Sequence, residues 1–458
     1  MIHDLAFVGF LAALMGLALR RPFLFILVYV YIDIVSPQRL TYILLNSIPI
    51  SLIAVGLAVL SWALVDDKRD TRVAPRQILI LLLLLYCYIT TRGADFPIEA
   101  AEKWDWVWKA LAFAAFLPLT LRTRLRIESL LFFMIASAAS IIIVGGIKTL
   151  FSGGGYGELN LMVSNNSGLY EGSTISTVAV AIIPLILWFA RYGSIVKPDW
   201  KVKVFCGAMI FACALIPVGT STRTGLLCIV LVAVLLLRDT RRKVLYLCIL
   251  GAIGLAAVPL LPSAFTDRMS TIKTYKADES ASTRLAVWKW TWEYAQTHPF
   301  GGGFEMYRQN QIRYDTEKVE GSGSNVSIDR KLTIDKARAF HSAYFEMLGE
   351  QGWPGLILWL TINIMGLVRM EVIRQRYRKA SEDDAWVTPL AGALQTAHLV
   401  YLLGAAFIAI AFQPFVYMLI GAQIGLDTYL KRRRAEESFR PMKRAKPAAD
   451  APPNPALA

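Results

Sequence analysis

The chain has 458 residues, of which 55% are hydrophobic, and its mean hydropathy is +0.48. A soluble domain does not need so many apolar residues, so the composition argues against an ordinary soluble protein and favours a membrane protein with several spans. The formal net charge of +14 does not indicate nucleic-acid binding. The basic residues lie in short clusters between apolar runs and in the C-terminal tail, where they orient a protein in the membrane.

Apolar runs recur along the chain and predict its membrane spans. They lie at about residues 3–19, 22–36, 48–65, 77–91, 105–121, 128–150, 173–190, 203–219, 224–237, 244–262, 342–368, 388–412 and 414–430. A helix needs roughly 20 apolar residues to cross a bilayer, and several runs are shorter, so we expect about 11–13 spans. The predicted fold class is all-α, a polytopic transmembrane helical bundle with one large, partly helical loop outside the membrane.

Short basic clusters occupy every second connection between the apolar runs. They lie at residues 20–21, 68–76, 122–126, 197–203, 238–243, 369–379 and 431–434. Because Lys and Arg favour the cytoplasmic side, we predict that these connections are cytoplasmic and that segments 152–172 and 263–340 face the other side. Lys103, Lys109 and Lys148 are exceptions, which we interpret as lysines that snorkel from the ends of spans.

This pattern divides the chain into membrane and polar segments. We predict N-terminal spans over 1–151, an outer loop over 152–172, central spans over 173–262, an outer loop over 263–340, C-terminal spans over 341–430 and a basic, disordered cytoplasmic tail over 431–458. The loop 263–340 is the longest polar insert. Connections without a function are short in compact folds, so we expect this loop to carry function.

Within the loop 263–340, the sequence predicts a helix and a lid. Ser282 is the expected N-cap of the helix, and Pro299 is expected to end it. Leu285, Trp288, Trp292 and Ala295 recur at helical spacing on one face. A short helix this rich in tryptophan suits the membrane–water interface. Residues 314–338 are polar and rich in Gly and Ser, so we expect them to form a mobile lid.

Three basic residues share one predicted position, the outer N-terminal end of a helix. They are Arg223, Arg284 and His341. A cation at a helix N-terminus is disfavoured by about 0.3–1 kcal/mol, so three such residues on one membrane face indicate an anion among them. Helix N-termini bind phosphate through free N–H groups, and Arg matches phosphate oxygens. The pattern therefore predicts a phosphate or pyrophosphate site.

Each of these residues also has an ordinary interpretation. Arg223 alone would be a membrane anchor, Arg284 a solvated surface charge and His341 an interfacial side chain. Among the histidines, only His341 joins the loop to a membrane helix, which makes it the best candidate for acid–base work near neutral pH. Glu346 and Glu350 follow at roughly helical spacing and either orient the imidazole or serve helix packing.

Two further residues are candidates for substrate binding. Asn166 lies in the outer loop 152–172, where asparagines either bind a sugar or form turns. Arg308 is either a third cation of the site or a surface residue. The cysteines lie in apolar runs without metal or disulfide spacing, so we expect them to be buried, small apolar residues.

Three short blocks resemble the membrane family of O-antigen ligases and O-antigen polymerases. They are Ser-Thr-Arg-Thr-Gly at 221–225, Ser-Thr-Arg at 282–284 leading to His-Pro-Phe-Gly-Gly-Gly at 298–303, and His-Ser at 341–342 with Leu348 and Gly352 downstream. Segments 20–22 and 36–40 resemble the branch of O-glycosylation ligases associated with exosortase systems. The order, spacing and shared membrane side of these blocks carry the resemblance, which extends to about residue 430.

The resemblance implies a multi-pass glycosyl transferase of the bacterial inner membrane, with the loop 263–340 in the periplasm. Such an enzyme moves a glycan from an undecaprenyl-pyrophosphate carrier to an acceptor hydroxyl on the periplasmic face, without a metal ion or other cofactor. By motif position, Arg223 and Arg284 would hold the pyrophosphate leaving group, and His341 would activate or position the acceptor hydroxyl. The acceptor stays open between a glycan, a lipid and a protein.

Two departures from the family pattern bear on the acceptor. They are Asn-Asn-Ser-Gly at 165–168 and the Gly/Ser-rich insert after Arg308.

Two alternative functions remain open on the sequence. A polysaccharide polymerase would use the same site to extend a chain. A transporter or flippase is the weakest alternative, kept open only by the intramembrane residues Asp33 and His398. Transporters usually show repeated halves and charges near mid-membrane, whereas the candidate charges here lie at one face and no internal repeat is visible.

Overall fold

The computed structural model describes residues 2–438, apart from residues 42, 46, 70, 153–168, 239, 258, 260, 262–265, 267–278 and 321–326. Its helices are α1 (Ile2–Arg20), α2 (Leu24–Val35), α3 (Pro37–Leu40), α4 (Ile50–Val65), α5 (Pro75–Arg92), α6 (Pro97–Thr120), α7 (Arg124–Ser152), α8 (Gly172–Tyr192), α9 (Trp200–Gly219), α10 (Arg223–Leu236), α11 (Lys243–Ala257), α12 (Glu279–Thr297), α13 (Ala343–Arg376), α14 (Val387–Ala405) and α15 (Pro414–Ser438). Short 3-10 helices lie at Met306–Gln309 and Glu382–Asp384, and two strands, β1 (Gln311–Glu320) and β2 (Ser327–Lys336), form a hairpin.

The predicted fold class is confirmed, because most of the described residues lie in helices, several of these helices are long and apolar, and the sheet among those residues is one two-stranded hairpin. Within the described residues, α7, α8, α9 and α13 are long and apolar enough to cross a membrane, and α2, α4, α10 and α11 are apolar but shorter. The count of 11–13 spans stays a prediction. Four of the five cysteines are buried as expected, whereas Cys248 is exposed.

Helix α8 packs against α7, α9, α10 and α14. In the most apolar stretch of this helix, 83% of the residues are buried inside the protein. Small residues permit this close packing, since a Cβ on Gly404 of α14 would lie 2.3 Å from the Thr177 side chain of α8. Glu171 caps the helix by accepting a hydrogen bond from the Thr174 backbone N–H at 2.6 Å. The first turn of α8 is therefore a fixed point for the residues around it.

Helix α12 forms within the outer loop, but its start and its buried face differ from the prediction. It begins at Glu279, so Ser282 lies in the helix instead of capping it. The buried positions recur at every fourth residue and are Thr283, Val287, Thr291 and Ala295. Leu285 and Trp292 are 59% and 52% exposed. The buried face is set by packing against α13 and β1, which the hydrophobicity of α12 alone does not reveal.

The segment expected to be a mobile lid contains a β-hairpin. Strand β1 pairs antiparallel with β2 in a register that places Gln311 opposite Lys336 and Glu320 opposite Ser327. The prediction relied on the high polarity of this segment. It neglected the β-branched and aromatic residues spread among the charged ones, which favour strands.

Helix α13 is broken at Gly352, and the glycine run of the loop docks onto the break. Gly352 has a φ of 63°, a left-handed conformation that glycine adopts without steric cost. The backbone N–H groups of Gly302 and Gly303 donate to the carbonyls of Gly349 and Glu350 at 3.0 and 2.9 Å. A Cβ on Gly352 would lie 2.2 Å from the Pro299 carbonyl oxygen. The loop is thus joined to α13 through main-chain contacts.

A buried ion triad joins α6 to α13. The Lys103 ammonium lies 2.7 Å from Glu346 and 2.8 Å from Glu350, and only 11% of the lysine side chain is exposed. The rings of Phe304 and Phe412 lie 5.4 and 5.8 Å from the ammonium nitrogen. The interpretation of Lys103 as a snorkelling lysine is therefore wrong, because its charge is held inside the protein by two carboxylates.

The two carboxylates extend this triad to other parts of the chain. Glu350 accepts a hydrogen bond from the Glu305 backbone N–H at 3.0 Å. Glu346 accepts one from the Ala411 backbone N–H, in the connection between α14 and α15, at 2.9 Å. One charged cluster therefore ties α6, α13, the outer loop and the α14–α15 connection together.

Replacing Lys103 with Met should destabilise the fold by about 3–5 kcal/mol, because two carboxylates are left buried without their cation. Thermal unfolding of the detergent-solubilised protein, followed by tryptophan fluorescence, measures the change. Lys289→Met is the matched control, since Lys289 and its partner Glu293 are 79% and 63% exposed and such pairs contribute about 0.3–0.5 kcal/mol. Unfolding of Lys103→Met at the wild-type temperature would contradict the assignment.

Candidate functional site

A cavity of about 710 Å³ opens where the ends of several helices meet. Its wall comprises the end of α2 with α3, the first turns of α6, the start of α8, the loop segments 305–308 and 339–341, the first turns of α13 and the connection 408–414. This volume lies within the range of about 300–1,000 Å³ that ligand sites occupy. Because α6, α8, α13 and α15 begin at the wall, their N-terminal dipoles favour negative charge there.

His341 lies on the cavity wall just before α13. Its backbone φ is 47°, an uncommon left-handed conformation for a residue other than glycine. Trp288 holds the chain on both sides of it. The indole N–H donates to the Phe340 carbonyl at 2.8 Å, and the ring stacks on Phe345 with centroids 5.1 Å apart. Helix α12 therefore holds the chain on both sides of His341.

The surroundings of His341 favour its neutral form. Partial burial lowers the pKa of His341 below its ordinary value, Arg284 lowers it further, and Glu171 opposes both by raising it. With its pKa below the ordinary value, the imidazole is neutral at neutral pH. A neutral imidazole is the form that accepts a proton from a hydroxyl group.

Arg284 interacts electrostatically with His341, although 57 residues separate them in the sequence. Since α12 begins at Glu279, Arg284 lies in the second turn of this helix and not in the first turn as predicted. The argument from an unfavourable helix dipole is therefore weaker for Arg284 than for Arg223, which is the first residue of α10.

Arg223 lies beside the first turns of α8. The hydroxyl of Thr222 donates to Ser176 Oγ at 3.0 Å, and Ser176 lies two residues beyond Thr174, which lines the cavity. Among the residues that the structure describes, Arg223 and Arg284 are not on the cavity wall itself. A shared site for Arg223, Arg284 and His341 therefore stays a prediction.

Of the two candidates for substrate binding, Arg308 lines the cavity. It pairs with Glu305 at 3.2 Å and with Glu99 at 3.8 Å, and its side chain is 40% exposed. Asn166 lies outside the described residues, so its role as a sugar-binding residue stays a prediction.

Backbone strain is concentrated around this cavity. Among the described residues other than glycine, positive φ angles occur at Ser36, Ser221, Glu305, Ala337 and His341. Ser36, Glu305 and His341 line the cavity, and Ser221 lies two residues before Arg223. Such conformations each cost about 1–3 kcal/mol and cluster at functional sites. The distribution supports a functional role for this cavity.

Several residues of the cavity wall escaped the sequence analysis as site residues. They are Arg39, Glu99, Glu102, Lys103, Asp105, Trp106, Lys109 and Glu171. Most lie in the first half of α6, where charged residues are interleaved with apolar ones, and this interruption of a hydrophobic run was the available signal. Glu346 and Glu350 also line the cavity, but they bind Lys103.

Asp33 and His398, the two intramembrane residues that kept a transporter open, have different surroundings. His398 is fully buried and its ring nitrogens lie 2.8 Å from Asn363 Oδ1 and 3.1 Å from Gln423 Nε2. This is the pattern of a hydrogen-bonded core residue. Asp33, in contrast, lines the cavity.

Two parts of the chain match known protein families. Residues 2–194 match DUF5935, a family of unknown function, and residues 208–360 match the O-Antigen ligase family. No curated protein matches this chain. The second match includes Arg223, Arg284 and His341 and supports a relationship to the O-antigen ligase family. With the apolar helices, it supports a multi-pass membrane protein with a glycosyltransferase-like function.

Proposed function

We propose that the protein transfers a glycan from an undecaprenyl-pyrophosphate carrier to an acceptor hydroxyl, on the periplasmic face of the bacterial inner membrane. The proposal rests on His341, which lines the cavity and interacts electrostatically with Arg284, both residues being inside the segment that matches the O-Antigen ligase family. The family implies a lipid-linked glycan donor and a glycan acceptor in general terms. The carrier and the membrane face are part of the proposal.

The proposed reaction is a displacement at the anomeric carbon of the donor sugar. The acceptor hydroxyl oxygen forms a bond to this carbon while the bond from the carbon to the pyrophosphate oxygen breaks. The electron pair of that bond goes to the pyrophosphate, and the hydroxyl proton goes to the neutral imidazole of His341. A base of this kind contributes about 10²–10⁴-fold to the rate.

The arginines serve the leaving group in this proposal. Negative charge grows on the pyrophosphate as the sugar bond breaks, and fixed cations in a water-poor site stabilise such charge strongly. Arg284 and Arg223 are assigned this role, and each guanidinium can bind two phosphate oxygens at once. Arg308, at the cavity wall, is assigned to substrate binding.

Polymerisation of the same carrier-linked glycan is the second candidate, since it uses the same bond changes. The products in a strain that lacks this protein separate the two functions. A ligase is supported if repeats of increasing length accumulate on the lipid carrier in that strain. A polymerase is indicated if only single repeats remain.

His341→Ala should lower the transfer rate by about 10²–10⁴-fold, and Arg284→Ala or Arg223→Ala by at least about 10²–10³-fold. Transfer is measured with purified protein in lipid nanodiscs and a carrier-linked glycan. Lys289→Ala is the matched control, because Lys289 is exposed and lies outside the cavity wall. Normal transfer by the three site variants, with correct membrane insertion, would refute the proposal.

The pH dependence of transfer should follow the charges around His341. Transfer falls as pH is lowered through the pKa of His341, because the protonated ring accepts no proton. Glu171 raises this pKa and Arg284 lowers it. Glu171→Gln should therefore shift the acidic limb of kcat/KM to lower pH, and Arg284→Gln should shift the limb of its residual activity to higher pH. Shifts in the same direction would show that His341 is not the group that titrates.

A further inference from the structure

The N-terminal segment of the chain contributes one side of the cavity wall, and this side differs chemically from the surroundings of His341. We define the N-terminal wall as Asp33, Gln38, Arg39, Trp106 and Lys109, all of which line the cavity. These residues lie in the segment that matches a family of unknown function. The inference below rests on the function proposed above and concerns what this wall recognises.

Two oxygen atoms of the N-terminal wall are buried and accept no hydrogen bond from any residue that the structure describes. They are Oδ2 of Asp33 and Oε1 of Gln38. The Tyr29 hydroxyl, which is also buried without a hydrogen-bond partner among the described residues, interacts with the Asp33 carboxyl group and can satisfy only one of its oxygens. Buried polar atoms nearly always have a partner, and an exception needs an explanation. Both atoms are acceptors, so the partner that satisfies them must bring O–H or N–H groups.

The charges of the N-terminal wall and of Asp105 beside it balance. Lys109 pairs with Asp105 at 2.9 Å, and both Lys109 and Arg39 interact electrostatically with Asp33. Two acidic and two basic residues give no net formal charge. Glu99 and Glu102 of the same segment also line the cavity, so this side of it has no excess of positive charge. This differs from the surroundings of His341, where Arg284 acts, and it favours a ligand without negative charge.

An aromatic surface completes the N-terminal wall. Trp106 is half-buried and lines the cavity beside these polar groups. Ligand sites typically combine an aromatic surface with a few placed polar groups that set orientation. A sugar ring matches this combination, because it has hydroxyl donors at its edge and apolar C–H groups on its faces.

We propose that the N-terminal wall is a subsite for a neutral sugar residue, whose hydroxyl groups donate hydrogen bonds to Asp33 and Gln38. The cavity is continuous from this wall to His341. One substrate can therefore place its sugar against the N-terminal wall while its reacting end lies at His341. The sugar belongs either to the donor glycan or to the acceptor, and the two are separated by experiment.

The test measures binding to full-length protein in lipid nanodiscs, in a His341→Ala background that prevents turnover. Three ligands are compared by isothermal titration calorimetry. They are undecaprenyl pyrophosphate without sugar, undecaprenyl pyrophosphate carrying N-acetylglucosamine, and a set of methyl glycosides of glucose, galactose and N-acetylglucosamine. The first ligand reports the pyrophosphate site, the second the donor sugar and the third the acceptor sugar.

Asp33→Asn should weaken the binding of a sugar-bearing ligand by about two- to tenfold, since it replaces a carboxyl acceptor oxygen with an NH2 group that cannot accept a hydrogen bond from a hydroxyl group. Gln38→Ala should weaken it by about two- to tenfold. Binding of the carrier without sugar should be unchanged in both. Weaker binding of the carrier-linked sugar assigns the subsite to the donor, and weaker binding of the methyl glycosides assigns it to the acceptor.

Gln296→Ala is the matched control, because this glutamine is exposed and bonds only weakly within its own helix, to the Trp292 carbonyl at 3.4 Å. The subsite is refuted if Asp33→Asn and Gln38→Ala bind every ligand as the parent does, if they weaken the carrier without sugar equally, or if the parent binds no sugar-bearing ligand. Failure of the pyrophosphate proposal is recognised separately, because the parent would then not bind the carrier without sugar.

Discussion

The structure around the cavity depends on one buried ammonium group and its two carboxylates. Lys103 brings α6 against Glu346 and Glu350 of α13, and these carboxylates also bind the backbone at Glu305 and Ala411. A lone charge at this depth would be strongly unfavourable, whereas the cluster is satisfied by direct contacts. The cluster therefore holds four contributors to the cavity wall in one arrangement: α6, α13, the outer loop at Glu305 and the connection between α14 and α15.

The helical bundle was predictable from the sequence because hydrophobic runs and basic clusters are local signals. The positions of Arg223 and His341 at helix starts were also predictable, since a helix start is indicated by a few neighbouring residues. The Lys103 triad could not, because its partners lie more than 240 residues away in the chain. The hairpin and the buried face of α12 were missed for a related reason, since strand pairing and contact with α13 decide them.

The proposed site combines two chemical environments in one cavity. Arg284 and Glu171, the N-cap of α8, act in opposite directions on the pKa of the His341 imidazole. Trp288 holds the backbone next to His341, a residue in the left-handed conformation. At the N-terminal wall, balanced charges and an aromatic ring surround unsatisfied acceptor oxygens. Both matched segments of the chain supply the cavity wall, so neither segment would form the cavity alone.

The contact between the glycine run and the break in α13 affects how freely the sequence of the outer loop can change in evolution. The hydrogen bonds there join backbone atoms of Gly302, Gly303 and Trp353 to backbone carbonyls, so they place few demands on neighbouring side chains. The exposed surfaces of α12 and the hairpin sequence are thus free to change by mutation while Glu350 and His341 keep their positions. Under the proposed function, a change of acceptor would then require substitutions in the outer loop and none at Glu350 or His341.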